Sequence, residues 1–351
     1  MVIVRAPVRI SFGGGGTDLA AYYGRFSGFV VSAAISRYCY VVAREPATAG
    51  IRINSADYRI WETFERGEIP PVAEPLSLPK AAIDWFADRG LRERGVDLFL
   101  ASEVPPGTGL GSSSAMTVAL VHALAAHTGM SLDRFNAAEL ASSLEIERLD
   151  MPIGKQDQYA SAFGGLNAIE FTSGGVRVEP LKVPPDTITA LNSRLLLFST
   201  GQTHDSSAIL REQRASTRSD RQVIESLHRI KALAGEMRRA LIAEDLDQFG
   251  RLLDLGWQEK KRLSTRVSSS AIDGWYGAAR EAGALGGKIA GAGGGGFLLL
   301  YCPSGRQRAV RAAMARLGLP EFKFDFDYGG AQVLSDLPAG ASRLAMLVNG
   351  T

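Results

Sequence analysis

The sequence predicts an α+β protein of two units. Strand-like and helix-like segments are mixed in both halves of the chain, and hairpin turns interrupt the strand–helix alternation that a doubly wound parallel sheet needs. The 351 residues are enough for two cores of ordinary size. The Pro184-Pro185 pair marks the expected boundary, giving units of 1–185 and 186–351.

The elements follow in chain order. Residues 2–12 alternate and are rich in β-branched side chains, so they read as a strand; four glycines, Gly13 to Gly16, then turn the chain before Thr17-Asp18 opens a short helix. Residues 28–43 are a strand, and 51–62 a hairpin turning near Ala56-Asp57. The proline-rich 63–79 is a surface loop, 78–88 a helix, and 96–102 a strand that runs into Pro105-Pro106-Gly107-Thr108-Gly109-Leu110-Gly111. Helices are expected at 112–128 and 133–149, and strands at 167–171 and 176–181 flanking the Gly174-Gly175 turn. In the second half 194–199 is a strand, and 205–241 is one long or two broken helices whose Arg and Glu form a solvated face. Helices at 245–263 and 269–282 precede an apolar, glycine-interrupted stretch, 288–301. A helix at 305–317 and strands at 322–335 and 343–348 close the chain. No repeat of fixed period is present.

Composition excludes several classes. A net charge of +2, with basic residues scattered, does not make a surface for a nucleic-acid backbone. The apolar stretches around 28–42 and 289–302 are too short for a bilayer or are broken by Arg37, and the N-terminus lacks the pattern of a secretory signal. No membrane segment is expected. Cys39 and Cys302 sit in apolar runs and read as buried thiols, which fits a reducing cytoplasm.

The stretch from Pro105 to Ala115 carries the chemistry. Glycines without Cβ let successive N–H groups approach an anion, and the start of the following helix adds unpaired N–H donors and the positive end of its dipole. Ser112, Ser113 and Ser114 open that helix and can reach phosphate oxygens or a metal. A Walker loop needs Lys followed by Ser or Thr after the glycines, which neither Lys155 nor Lys288 supplies. Gly291, Gly293 and Gly296 match the dinucleotide spacing, but a strand follows where that fold needs a helix. Protein-kinase signatures are absent. Ser113 loosely resembles a hydrolase nucleophile with His204 or His228 as base, although Ala115 stands where that motif has its second glycine.

Phosphoryl transfer to a hydroxyl calls for a cation at the phosphates and often for a carboxylate at the acceptor proton. Glu145 near the end of 133–149 and Asp157 after the Met151-Pro152-Ile153-Gly154 break are candidates. Glu145, like Glu147, also fits a solvent-facing helix position, and Asp157 also fits the cap of a helix at 158–163. Arg9 and Asp18 flank the first glycine turn, as ligand contacts or as a surface pair.

Three stretches resemble, in order, the motifs of the GHMP kinases, the superfamily of galactokinase, homoserine kinase, mevalonate kinase and phosphomevalonate kinase. They are Ala6 to Asp18, Pro105 to Ala115, and Lys288 to Phe297, and the resemblance spans nearly the whole chain. Gly13 to Asp18 together with Gly154 to Gly165 look like the D-glycero-D-manno-heptose 7-phosphate kinases. Galactokinases carry Glu-His where this chain has Gly15-Gly16, which argues against galactose.

The resemblance implies an N-terminal unit like a domain of ribosomal protein S5 and a ferredoxin-like C-terminal unit, with ATP and a sugar phosphate between them and Mg²⁺ as cofactor. It implies that Pro106, Gly107, Gly109, Leu110, Gly111, Ser112, Ser113 and Ser114 wrap the ATP phosphates, and that Ser113 and Glu145 bind Mg²⁺. Asp157 falls at the place of the catalytic base, and Arg9 beside the acceptor hydroxyl. Asp18, with Gly15, Gly16, Thr17 and Gly294, falls where the sugar binds. Lys155, Arg37, Arg211 and Thr203-His204 are candidates for a distal phosphate. A fucose- or galactose-type kinase, a sugar sensor on the same fold and a homodimer stay open.

Overall fold

The computed structural model describes residues 1–48, 50–202 and 206–336. An eight-stranded sheet runs β11-β1-β2-β5-β3-β4, with β6 and β7 added along β2. Its strands are β1 (Val2–Gly13), β2 (Gly28–Arg44), β3 (Ile51–Ser55), β4 (Ile60–Phe64), β5 (Val96–Ser102), β6 (Leu166–Thr172), β7 (Gly175–Pro180) and β11 (Gln332–Asp336). All pairs are antiparallel except β3 with β5. A second, three-stranded antiparallel sheet runs β8-β10-β9, from β8 (Leu195–Ser199), β9 (Gly286–Ile289) and β10 (Phe297–Tyr301). The fold is α+β, as expected.

Among the described residues, eleven α-helices of a full turn or more pack on these sheets: α1 (Ala20–Phe26), α2 (Ser77–Phe86), α3 (Ser112–Thr128), α4 (Arg134–Ser142), α5 (Gln156–Phe163), α6 (Pro185–Arg194), α7 (Ser206–Ser219), α8 (Arg221–Ile242), α9 (Leu246–Lys261), α10 (Ser270–Glu281) and α11 (Gln307–Arg316). Local chemistry explains many boundaries. The expected 205–241 segment breaks at Asp220, whose carboxylate accepts from Gln222 N and Val223 N and so starts a new helix. Asp245 and Ser269 cap α9 and α10 in the same way.

Several expectations are corrected. The helix read over 133–149 ends as an α-helix at Ser142 and continues as a π-helical turn, Ser143–Arg148, which shifts the register of its side chains. Asp157 does not cap a helix at 158–163; α5 already begins at Gln156, and Asp157 stands in its first turn. A helix not expected from the sequence, α6, opens at Pro185, where a missing N–H costs nothing. Of the strand expected at 322–335 only β11 finds a full partner strand, in β1; before it the chain makes isolated bridges at Glu321 and Phe326. The strand read at 343–348 lies outside the described residues.

The core explains where a cleft can form. Val2, Val4 and Ala6 of β1 join one apolar cluster with α2 and α3, whereas Val8, Ile10 and Phe12 join another with α8, α9 and β10. The register with β2 breaks between Pro7 and Val8, where Tyr38 and Ile35 are the successive partners. Past that break β1 is sandwiched between the halves of the chain. Arg9 and Ser11, on the alternate positions, are aimed at the junction.

Candidate active site

The Arg9 guanidinium is buried and makes three contacts. Nε and Nη2 donate to Asp157 Oδ1 and Oδ2 at 2.7 and 2.6 Å, and Nη1 donates to Gly109 O at 2.7 Å. Its main-chain N–H donates to Leu110 O at 2.9 Å. One side chain thus ties β1, the glycine loop and α5 together, and the bidentate fork fixes the orientation of the carboxylate.

The loop is held open by its glycines. Gly107, Gly109 and Gly111 have φ of +75°, +84° and +75°, a region that L side chains rarely enter. Gly111 is the N-cap of α3 and no side chain caps that helix, so its first N–H groups point out unclaimed by side chains. A Cβ on Gly111 would lie 3.0 Å from Asp157 Oδ2, which brings the carboxylate against the glycine loop. The third glycine run backs this loop: a Cβ on Gly109 would lie 2.5 Å from Ala290 O, and one on Gly296 2.2 Å from Thr108 O.

Glu145 is fully buried rather than solvent-facing; the π-helical turn carries it inward while Glu147 stays outside and accepts from Ser143 Oγ. Its Oε1 accepts from Ser113 Oγ at 3.0 Å and its Oε2 from Gln158 Nε2 at 2.6 Å. Burial pushes its carboxyl up to about 7, against hydrogen bonds from Gln158, Ser114 and Ser113. Buried with only neutral donors, this carboxylate suits a cation. Among the described residues no group of three or more His, Cys, Asp or Glu could hold a metal. A hard cation here would rest on Ser113 and Glu145 and complete its shell with phosphate and water oxygens, which is the usual way of binding Mg²⁺.

Asp18 is also buried. Gly16 N donates to its Oδ1 at 2.8 Å, and Gln156 Nε2 to its Oδ2 at 2.9 Å. Burial, and then the charge of Asp157, raise its carboxyl above the ordinary value. Gly154 must be glycine for this approach, since a Cβ there would sit 2.0 Å from Asp18 Oδ2.

Arg9, Asp18, Asp157, Gly15 and Gly16 line one pocket, together with Ser11, Gln156, Gln213, Lys260 and Lys288. Pro106, Ser112 and Ser113 line a second, more apolar cleft with Tyr58, Leu76, Leu100 and Met116. The loop and the start of α3 form the divide between them.

Other expected residues stand apart. The Thr17 hydroxyl is buried between Gly14 O and the main chain of Phe29, and Gly294 N donates to Val267 O. The Lys155 ammonium pairs with Glu139 at 3.1 Å. Arg37 stacks on Phe322 in a separate groove, and Arg211 lines the apolar cleft. Thr203 and His204 lie outside the described residues. His228 is bound to the Tyr22 hydroxyl at 2.7 Å, remote in contact from Ser113, whose hydroxyl is given to Glu145.

Two buried lysines in the first pocket were not singled out from the sequence. Lys288 Nζ donates to Ser11 O at 2.8 Å, and Lys260 Nζ to Gly291 O. Burial, with Arg9 adding to it, lowers Lys260 to about 8; burial and the neighbouring Lys260 lower Lys288 well below the ordinary lysine value. Lys288 opens the third glycine motif and could have been read there. Lys260 and Gln213 lie in helices whose charges look like solvent faces, and nothing local marks them.

Sequence models of two families match: GHMP kinases N terminal domain over residues 77–165, and GHMP kinases C terminal over residues 237–318. The chain is 31% identical over 326 residues to the D-glycero-alpha-D-manno-heptose 7-phosphate kinase of Campylobacter jejuni, covering 91% of this chain and 95% of that protein. It is 28% identical to the L-fucokinase/L-fucose-1-P guanylyltransferase of Bacteroides fragilis, over 88% of this chain and 35% of that longer protein. Among solved structures, a D-glycero-D-manno-heptose 1-phosphate kinase from Bacteroides thetaiotaomicron superposes with a TM-score of 0.80 at 28% identity, covering 96% of this chain and 100% of that one.

Proposed function

The chain belongs to the GHMP kinase family, and from that premise we propose that it transfers the γ-phosphoryl group of ATP to the anomeric hydroxyl of D-glycero-D-manno-heptose 7-phosphate. The product is the 1,7-bisphosphate, a precursor for nucleotide-activated heptose. The names of two of the relatives differ in the position of the phosphate and agree on a manno-heptose. The observation that carries the reading is the Arg9–Asp157 fork, set between the glycine loop and a pocket lined by Asp18.

In this reading the N–H groups of Gly107 to Ser114 hold the ATP phosphates, and the apolar cleft beyond Ser113 takes the nucleoside. The anomeric oxygen attacks the γ-phosphorus, the bond to the β–γ bridging oxygen breaks, and ADP leaves. Asp157 accepts the hydroxyl proton, and Arg9 orients Asp157 and stabilises charge developing on the acceptor oxygen. Asp18, held by Gly16 and Gln156, takes sugar hydroxyls. Mg²⁺, when bound at Ser113 and Glu145, supplies neutralisation of phosphate charge.

The likeness to the fucokinase half of a bifunctional enzyme supports a second reading, a fucose- or galactose-type 1-kinase. A sensor without activity is disfavoured, since Arg9, Asp157, Ser113 and Glu145 are all arranged as transfer needs. We place the protein in the cytoplasm, where ATP is available and the free, buried Cys39 and Cys302 stay reduced; among the described residues no helix is long and apolar enough to cross a membrane. A division near residue 185 is our reading of the domains, with β11 returning to the first sheet. Incubation with ATP, Mg²⁺ and a panel of sugars and sugar phosphates tests the proposal. The heptose 7-phosphate is expected to turn over fastest; faster turnover of fucose or galactose would sink it.

A further inference from the structure

The pocket beside Asp157 contains more unsatisfied chemistry than the roles above consume. Ser11, Gln156 and Gln213 are 6%, 8% and 4% exposed, and all three line it. Among the described residues, Ser11 Oγ, Gln156 Oε1 and Gln213 Nε2 find no hydrogen-bond partner. Leaving such groups buried and unpaired is costly, and a ligand that pairs them recovers the cost. Space has been left for one of them: a Cβ on Gly16 would lie 2.3 Å from Gln213 Nε2, so only glycine lets the α7 amide reach this wall.

Two ammonium groups share the same pocket. Lys260 comes from the end of α9 and Lys288 from β9, and their contacts are main-chain carbonyls, Gly291 O for the first and Ser11 O and Phe12 O for the second. Main-chain carbonyls do not neutralise an ammonium and leave it N–H donors to spare, and Asp18, elsewhere in the pocket, is the carboxylate that acts on both lysines. Arg9 is already committed to Asp157, and Asp18 to Gly16 and Gln156. The two lysines therefore form a cationic wall within the same pocket as the two carboxylates. Burying two like charges side by side is unfavourable until an anion sits between them.

We propose that Lys260 and Lys288 form an anion subsite for the acceptor, taking a phosphate monoester on the sugar, and that Gln213 donates to an oxygen of the same ligand and sets its orientation. This rests on the sugar-phosphate reading above and supplies the distal-phosphate residues that Lys155 and Arg37 do not. The pattern matches a polyhydroxylated molecule with an anionic end: hydroxyls to Asp18, Gln156 and Ser11, the anion to the lysines.

The alternative source of the same chemistry is the γ-phosphate of ATP, and the experiment separates the two. Binding of heptose 7-phosphate, the unphosphorylated heptose and a non-hydrolysable ATP analogue is measured by calorimetry for the wild type, Lys260→Met and Gln213→Ala. Lys260→Met is expected to weaken the sugar phosphate by about 10- to 100-fold, the unphosphorylated heptose by less than about 3-fold, and the nucleotide not at all. Gln213→Ala, which leaves both charges in place, is expected to weaken the sugar phosphate by about 10-fold. Equal losses for both sugars in Lys260→Met, or a loss confined to the ATP analogue, would overturn the subsite. Wild-type turnover reports separately on the reading beneath it. If the wild type phosphorylates the sugar phosphate while the variants bind it normally, only the subsite falls; if the wild type binds and phosphorylates unphosphorylated sugars alone, both fall.

Discussion

Arg9 and Asp157 illustrate how one side chain gains meaning from its partners. Arg9 gives its donors to Asp157 and Gly109 O, so one guanidinium ties the carboxylate to the glycine loop. Asp157→Asn keeps the shape and removes the proposed base; kcat is expected to fall by about 100-fold or more, with the ATP affinity little changed. Steady-state kinetics check this, and near-normal turnover would remove proton abstraction from the account. Lys260 supports a second prediction at this scale. Its folded value is lowered to about 8 from 10.5, so between those pH values the unfolded chain binds more protons and folding stability contributed by this group rises with pH. Below pH 8 the full cost of burying the charge is present. Denaturant unfolding at pH 7.5 and 9.5 is therefore expected to show wild type gaining on Lys260→Met by about 2 kcal/mol. An unchanged difference between the two proteins would contradict it. Arg9, Asp18, Ser113 and Asp157 were legible as candidates because glycines lie beside them, and Glu145 only as a carboxylate near the end of a helix. Lys260 and Gln213 were not, since a helix read alone shows which residues share a face and not what that face meets.

At the scale of elements, the glycine loop depends on a neighbour distant in sequence. Gly109 lies against Ala290 O, and a Cβ on Gly291 would lie 2.4 Å from Gly109 Cα, so the second and third glycine runs interlock. Gly109→Ala is expected to cost about 2 kcal/mol of stability, from positive φ and the contact with Ala290, and to weaken binding of an ATP analogue. Paired denaturation and binding titrations check both. Asp220→Ala offers the contrast: losing the α8 cap should cost about 1 kcal/mol and leave both Michaelis constants unchanged. A KM shift in that variant would mean that α8 positions the pocket. Strong local signals made α3, α9 and α10 readable, with glycine or capping side chains at their starts. The π-helical turn carrying Glu145 left no local mark, because its extra residue is favoured by the tertiary placement of that carboxylate beside Ser113 and Gln158.

Across the whole molecule, the halves share apolar contacts through Val8, Ile10 and Phe12, which pack with Met237, Phe249 and Leu299. Phe249 is fully buried and meets Phe12 edge-on with ring centroids 5.2 Å apart. Phe249→Ala is expected to destabilise by about 3–5 kcal/mol and to keep a single unfolding transition, since each half loses its packing surface when the other opens. Calorimetry reads this; two resolved transitions would show that the halves are independent. The site lies along the same junction, so loss of the shared core is expected to loosen acceptor binding as well.

Taken alone, the chain disclosed the α+β class, the glycine loop that opens α3 and a set of polar residues that chemistry could use. These are local properties: glycine needs no partner to adopt positive φ, and a helix start carries its unpaired N–H groups wherever it is placed. Packing decided the rest. It turned Glu145 inward, opened α6 at Pro185, committed Lys155 to Glu139, and set Lys260, Lys288 and Gln213 around one pocket with Asp157. Charge and desolvation depend on what surrounds a group in space, and residues from both ends of the chain supply those surroundings.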